Sequence, residues 1–243
     1  MNAPLRSFLY RITFEKEELI MDQTLVKEFY DACGMGDYAK VCACIAKGID
    51  VNTKNGDGRT ALMRTAKRGY EDIVRTLLDH GADVRARDKN NKTALMGAAK
   101  NGHKYICQML VEAGADVNSH DNNGRTALMR AAFLGQSHVV EYLVEHGALV
   151  DETDAKGRTA LMDAVLAFKV DVIHYLLAHG ADVNKQDNEG CTCLMRASYG
   201  GYTDLVLYLL NKGADKEILD NHGNKAVHYL RTECLAELQD VLK

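Results

Sequence analysis

The chain has 243 residues, 47% of them hydrophobic and 26% charged, with a formal net charge of −4. This composition excludes a disordered chain, which could not bury enough apolar surface to order itself, and it offers no global basic excess for nucleic acid. A single proline, no tryptophan and abundant Gly, Ala, Leu and Asp predict a mostly helical protein whose helices end on glycine.

Residues 1–23 precede any periodic pattern. Arg6 and Arg11 lie among Leu5, Phe8, Leu9, Tyr10 and Ile12. The segment lacks the uninterrupted apolar stretch and small-residue cleavage site of a secretory signal. Glu15, Glu17 and Glu18 argue against a mitochondrial presequence. Two readings stand for this arm: a short helix packed on the first periodic unit, or a native start at Met21, because Met21-Asp22-Gln23 leads straight into the first periodic helix. No apolar run is long enough to span a membrane.

From residue 24 onward a 33-residue beat sets the organisation. Thr-Ala-Leu-Met starts at Thr60, Thr93, Thr126 and Thr159, and the variant Thr-Cys-Leu-Met starts at Thr192. Gly-Ala-Asp-Val, with small variations, starts in phase at Gly81, Gly114, Gly147, Gly180 and Gly213. Within one period Thr60 caps a helix, and Leu62 and Ala66 share a face of it. Gly69 ends that helix. Glu71 and Asp72 open a second one, whose apolar stripe is Ile73, Val74, Leu77 and Leu78. Gly81 closes it, and a turn-rich connection leads to the next threonine. Neither short helix can bury its face alone, so the period predicts stacking. Phe29, Gly36 and Val41 extend the beat backwards, and Lys225-Ala226-Val227-His228 with a polar closing helix over 233–243 extends it forwards. The expected organisation is an N-terminal capping repeat over 24–56, five full repeats over 57–222 and a C-terminal capping repeat over 223–243.

These strings resemble the ankyrin repeat, whose usual wording is Thr-Pro-Leu-His followed by Ala and then Gly-Ala-Asp-Val-Asn. Here alanine stands for the proline, and Met63, Met96, Met129, Met162 and Met195 stand for the histidine, so packing replaces an inter-repeat hydrogen bond. The resemblance implies an all-α solenoid of about seven helix-turn-helix units joined by hairpin loops. It also implies a non-enzymatic scaffold or adaptor that holds a partner protein on its concave face. Asn52, Asn118 and Asn184 match the family position that asparagine hydroxylases modify in some members.

Carried onto this sequence, the family's contact positions place Arg59, Lys92, Arg125 and Arg158 before the threonine in four consecutive repeats, with Cys191 in the fifth. With helices roughly 8–10 Å apart, this ladder is on the order of 30 Å long. That exceeds the Debye length of about 8 Å, so the rungs form a track and not one site. The pairs before the helix-ending glycine read Lys67-Arg68, Lys100-Asn101, Phe133-Leu134, Leu166-Ala167 and Tyr199-Gly200. The position after the methionine gives Arg64, Gly97, Arg130, Asp163 and Arg196. The face is therefore expected to be basic over the early repeats and apolar over the later ones, fitting a partner segment with acidic residues followed by hydrophobic anchors. Solvated cations of the kind found on any soluble repeat protein are the competing reading, and binding of nucleic acid or phosphoinositide through the ladder is a third. A microbial effector acting on a host protein is the alternative context. In the fourth repeat Phe168 replaces the helix-ending glycine. A bulky residue tolerates positive φ poorly, so a locally rearranged turn is expected there, with contact beside Leu166 as the functional alternative.

No catalytic chemistry is expected. His80, His146 and His179 share one repeat position at a helix end and read as scaffold, as His103 and His138 are also expected to. The cysteines are odd in number and lack any C-x-x-C, which predicts a reduced, cytoplasmic chain. Cys33, Cys44 and Cys193 fall on core positions, and Cys191 falls on an exposed tip. The ligand spacing for zinc is missing, as are the fingerprints of nucleotide sites, so neither cofactor nor metal is expected and the protein reads as a monomer.

Overall fold

The computed structural model describes residues 23–231 and 235–242. The N-terminal arm, with the start considered at Met21, lies outside the described residues except for residue 23, which already belongs to helix α1 (23–35). Helix α2 (Tyr38–Ala46) completes the first unit, and Asp37 caps it by accepting from the Lys40 N–H at 3.1 Å. Five helix pairs follow. They are α3 (Ala61–Arg68) with α4 (Glu71–Asp79), α5 (Ala94–Lys100) with α6 (Lys104–Glu112), and α7 (Ala127–Leu134) with α8 (Ser137–Glu145). The last two are α9 (Ala160–Leu166) with α10 (Val170–Ala178) and α11 (Cys193–Gly200) with α12 (Thr203–Asn211). A 3-10 turn (Ala226–Tyr229) and α13 (Leu235–Leu242) close the array.

One mechanism starts every first helix of the five full repeats. Thr60, Thr93, Thr126, Thr159 and Thr192 are extended, and each hydroxyl accepts from the N–H of the methionine three residues on, at 3.3 Å. That satisfies one of the free donors at the helix start. In the last unit Lys225 has no hydroxyl to offer, and the helix shrinks to the 3-10 turn.

First helices pack on first helices from α3 to α11, and α4, α6, α8 and α10 pack in a parallel row behind them. The leucine, alanine and methionine of each Thr-Ala-Leu-Met string are buried, as are the second-helix stripes such as Ile73, Val74 and Leu77. The core runs as one cluster from Phe29 to Leu242. Each buried leucine contributes about 1.5–3 kcal/mol, and the stack makes that burial available to helices too short to be stable alone. The hairpins join in register: the N–H groups of Lys89, Asn122, Ala155, Asn188 and Asn221 donate to carbonyls of the preceding hairpin at 2.9–3.0 Å.

The turn at Phe168 corrects the expectation. Phe168 takes φ 52, in the same left-handed region as Gly135 and Gly201. Its N–H donates to the Val165 carbonyl at 3.1 Å, as Gly135 donates to Ala132. The turn is not rearranged; the residue accepts the strain, and its ring lies 4.4 Å from that of Tyr202.

Candidate partner-binding face

Five residues before each capping position stands an aspartate that the Thr-Ala-Leu-Met and Gly-Ala-Asp-Val strings do not include: Asp88, Asp121, Asp154, Asp187 and Asp220. Each is buried. One oxygen of Asp154 accepts from the N–H groups of Lys156 and Arg158 at 2.8 and 3.0 Å. Asp88, Asp121, Asp187 and Asp220 make the same two bonds to their own hairpins. In the first hairpin Asn55 does this work. The aspartates turn the hairpins, and the 33-residue beat was the signal that could have found them.

The second carboxylate oxygen, buried and charged, requires a partner. Arg130 supplies it for Asp121 and Arg196 for Asp187, each from the position after the methionine. In repeat four that position is Asp163, so Asp154 is paired instead by the rung residue Arg158 at 2.7 Å. Asp163 is itself buried and takes Arg125, the rung of the preceding repeat. In repeat two the position is Gly97, and Asp88 is reached by Arg59 at 3.4 Å. Tyr229 donates its hydroxyl to Asp220.

The cationic ladder is therefore split. Arg125 and Arg158 are held by internal carboxylates along with Arg130 and Arg196, and Arg59 is loosely tethered. Burial works to raise the Asp154 carboxyl, but the Arg158 guanidinium and the hairpin N–H groups outweigh it and hold it below the usual value. At Asp163 burial wins over Arg125 and Arg158, and the carboxyl is raised. Its Oδ1 has no hydrogen-bond partner among the described residues.

Arg64, Lys67, Arg68, Lys92 and Lys100 have no carboxylate within ion-pair distance among the described residues. They line one groove of about 430 Å³ between α3 and α5, together with Arg59 and Arg130. Asp88 is the single carboxylate in that lining. Gly97 also lines it, and a Cβ there would sit 3.3 Å from the Lys67 Cβ. Seven of the expected contact residues thus converge on one place.

Large apolar side chains are exposed in the later repeats. Phe133, Leu134, Leu166, Phe168 and Tyr199 are 39–61% exposed. The Arg125 guanidinium lies 5.9 Å from the Phe133 ring centre, and Arg231 lies 5.5 Å from that of Tyr199. On α7, Phe133 and Leu134 stand three and four residues beyond Arg130, on the neighbouring turn of the same helix side. The apolar stretch therefore begins where the groove ends.

Several other chemistry-bearing groups are built into the scaffold. His80, His146 and His179 each bond a carbonyl of their own helix at 2.8 Å through Nδ1. Burial pushes the thiols of Cys33, Cys107 and Cys193 up to about 12, far from the reactive range. Cys191 is half-buried, not exposed, with its Sγ 3.8 Å from the Tyr229 hydroxyl. Asn52, Asn118 and Asn184 each donate to a glycine carbonyl of the next repeat at 3.0 Å. Among the described residues no helix is long and apolar enough to cross a membrane.

Comparison with known proteins agrees with this architecture. Family models of ankyrin repeats match residues 29–121, 114–187 and 176–230. No curated protein matches the sequence. The crystal structure of the human ASB11 ankyrin repeat domain superposes with a TM-score of 0.79 at 22% identity, covering 88% of this chain and 95% of that one. At that identity the likeness speaks for the fold alone.

Proposed function

The chain belongs to the ankyrin repeat family, whose repeats are protein–protein interaction modules, and from that premise we propose that it binds a segment of a partner protein along its first helices and hairpins. The protein acts as a monomeric, non-enzymatic scaffold or adaptor. The partner segment carries acidic residues that lie over repeats one and two and hydrophobic anchors that lie over repeats three to five. The observation that carries this reading is the continuity of the face: a groove lined by seven cations and one carboxylate runs into exposed Phe133 and Leu134.

The internal pairing of Arg125 and Arg158 narrows the acidic contact to the early repeats, where lysines and arginines still lack partners. Exposed apolar residues in sequence along one face mark an interface more often than they mark chance, because isolated monomers seldom leave such patches open.

Selection of displayed random peptides on the immobilised protein tests the reading. Enriched peptides are expected to be acidic at one end and apolar at the other. The Lys67→Glu/Lys92→Glu/Lys100→Glu variant should lose the acidic preference, and Phe133→Ser/Tyr199→Ser should lose the apolar one. Enrichment of basic peptides, or of peptides indifferent to both variants, would overturn it.

A further inference from the structure

We propose that the groove between α3 and α5 receives a phosphorylated side chain of the partner segment; this rests on the proposed partner binding and narrows it. A glycine distinguishes the repeat that forms one wall of this groove. Where repeats three and five carry Arg130 and Arg196, each reaching the aspartate of its own hairpin, repeat two carries Gly97. No arginine crosses from this position, and the groove beside it has a volume of about 430 Å³. That lies within the range of about 300–1,000 Å³ usual for ligand pockets. The second carboxylate oxygen of Asp88 is then left with the long contact to Arg59 at 3.4 Å.

Charge decides what fills the space. Arg64, Lys67, Arg68, Lys92 and Lys100 line the groove without a carboxylate partner among the described residues, in a chain whose net charge is −4. Five like charges so close together repel one another, and the cost is relieved by an anion. A single carboxylate brings one charge and two acceptor oxygens. A phosphoryl group brings about −1.5 to −2 charges and three acceptor oxygens, and so engages more of the five at once. Arg64 and Arg68 add planar donor forks, which bond phosphate oxygens in pairs. Arg64 borders the groove on its α1 side, its guanidinium lying over Gly34, where a Cβ would fall 2.3 Å from it.

Fluorescence anisotropy with three labelled decapeptide pools tests the proposal, the central residue being phosphoserine, serine or glutamate and the flanks degenerate. The phosphoserine pool should bind at least ten-fold more tightly than the glutamate pool. Gly97→Arg installs the residue found in repeats three and five, and Lys67 must yield by a few tenths of an ångström. It adds a positive charge yet fills the groove, so it should weaken phosphoserine binding at least ten-fold. Tighter binding by Gly97→Arg would show general attraction to a basic surface and would overturn the proposal. If thermal melting shows Gly97→Arg unfolded, the surface variant Lys67→Glu/Lys100→Glu decides in its place, with a ten-fold loss expected and unchanged binding overturning the idea. Equal binding of the glutamate and phosphoserine pools would remove the phosphate and leave the acidic-segment reading standing. Silence of all three pools, with or without binding to vesicles containing phosphatidylinositol bisphosphate, would also overturn the proposal, and the displayed-peptide selection would then judge the broader reading by itself.

Discussion

A carboxylate as buried as that of Asp154 stabilises its hairpin only while it stays ionised, because both backbone bonds and the Arg158 pair depend on acceptor oxygens. Asp154→Asn removes the charge and one acceptor, and should cost about 1–3 kcal/mol at pH 7 by urea denaturation. The folded-state carboxyl is held below its ordinary value, so the unfolded chain binds the proton first as pH falls. The contribution is complete above the unfolded value of about 4 and is lost on acidification, so the gap between variant and wild type should shrink below that pH. A gap that widens toward acid would contradict the assignment. At Phe168 two terms compete. A left-handed conformation costs a bulky residue about 1–2 kcal/mol, and the Tyr202 ring contact returns roughly 0.5–1.5 kcal/mol. Alanine keeps the strain and loses the ring, whereas glycine loses both. Phe168→Gly should therefore be more stable than Phe168→Ala by about 1 kcal/mol in thermal melts, despite the entropy of glycine in the unfolded chain.

Between elements, the hairpins depend on a side chain that both donates and accepts. Asn52, Asn118 and Asn184 donate to Gly81, Gly147 and Gly213 and accept from the N–H two residues beyond each glycine. Arg85 donates to Gly114 in the same way. Asp151, in the equivalent place, accepts from the Asp182 N–H at 3.1 Å but cannot donate to Gly180 while ionised. Asp151→Asn should add about 1 kcal/mol by restoring the missing bond. An unchanged melting temperature would show that the junction between repeats three and four is satisfied another way. Such junctions also explain what the sequence made legible. Capping threonines, core leucines and helix-ending glycines act within one period, so a repeated string reveals them. The fate of Arg125 depends on Asp163, 38 residues away, whereas Arg158 is taken by Asp154 of its own hairpin. A repeated string alone therefore does not reveal which rung cation is free. Phe168 misled for a related reason: local preference argued for a new turn, and the stack around it imposed the old one.

Across the whole molecule, each unit touches only its neighbours, so stability should behave as a sum of units and junctions and not as one core. Leu161 and Leu238 are both fully buried, but Leu161 lies in α9 between α7 and α11, while Leu238 lies in the closing helix with the array on one side only. Leu161→Ala should cost about 2–5 kcal/mol and weaken amide protection on both sides of repeat four. Leu238→Ala removes the same atoms, yet the loss should be confined to the last unit and the adjoining α11 and α12, as local opening of one end. Amide hydrogen exchange reads the difference directly. Protection lost evenly along the chain in Leu238→Ala would mean that the array unfolds as a single cooperative body. The groove between α3 and α5 stands several junctions from that end, so Leu238→Ala should leave its affinity for an acidic peptide within about two-fold of wild type. A fall as large as that from Lys67→Glu/Lys100→Glu would place the two ends of the stack in one thermodynamic unit, against the additive picture.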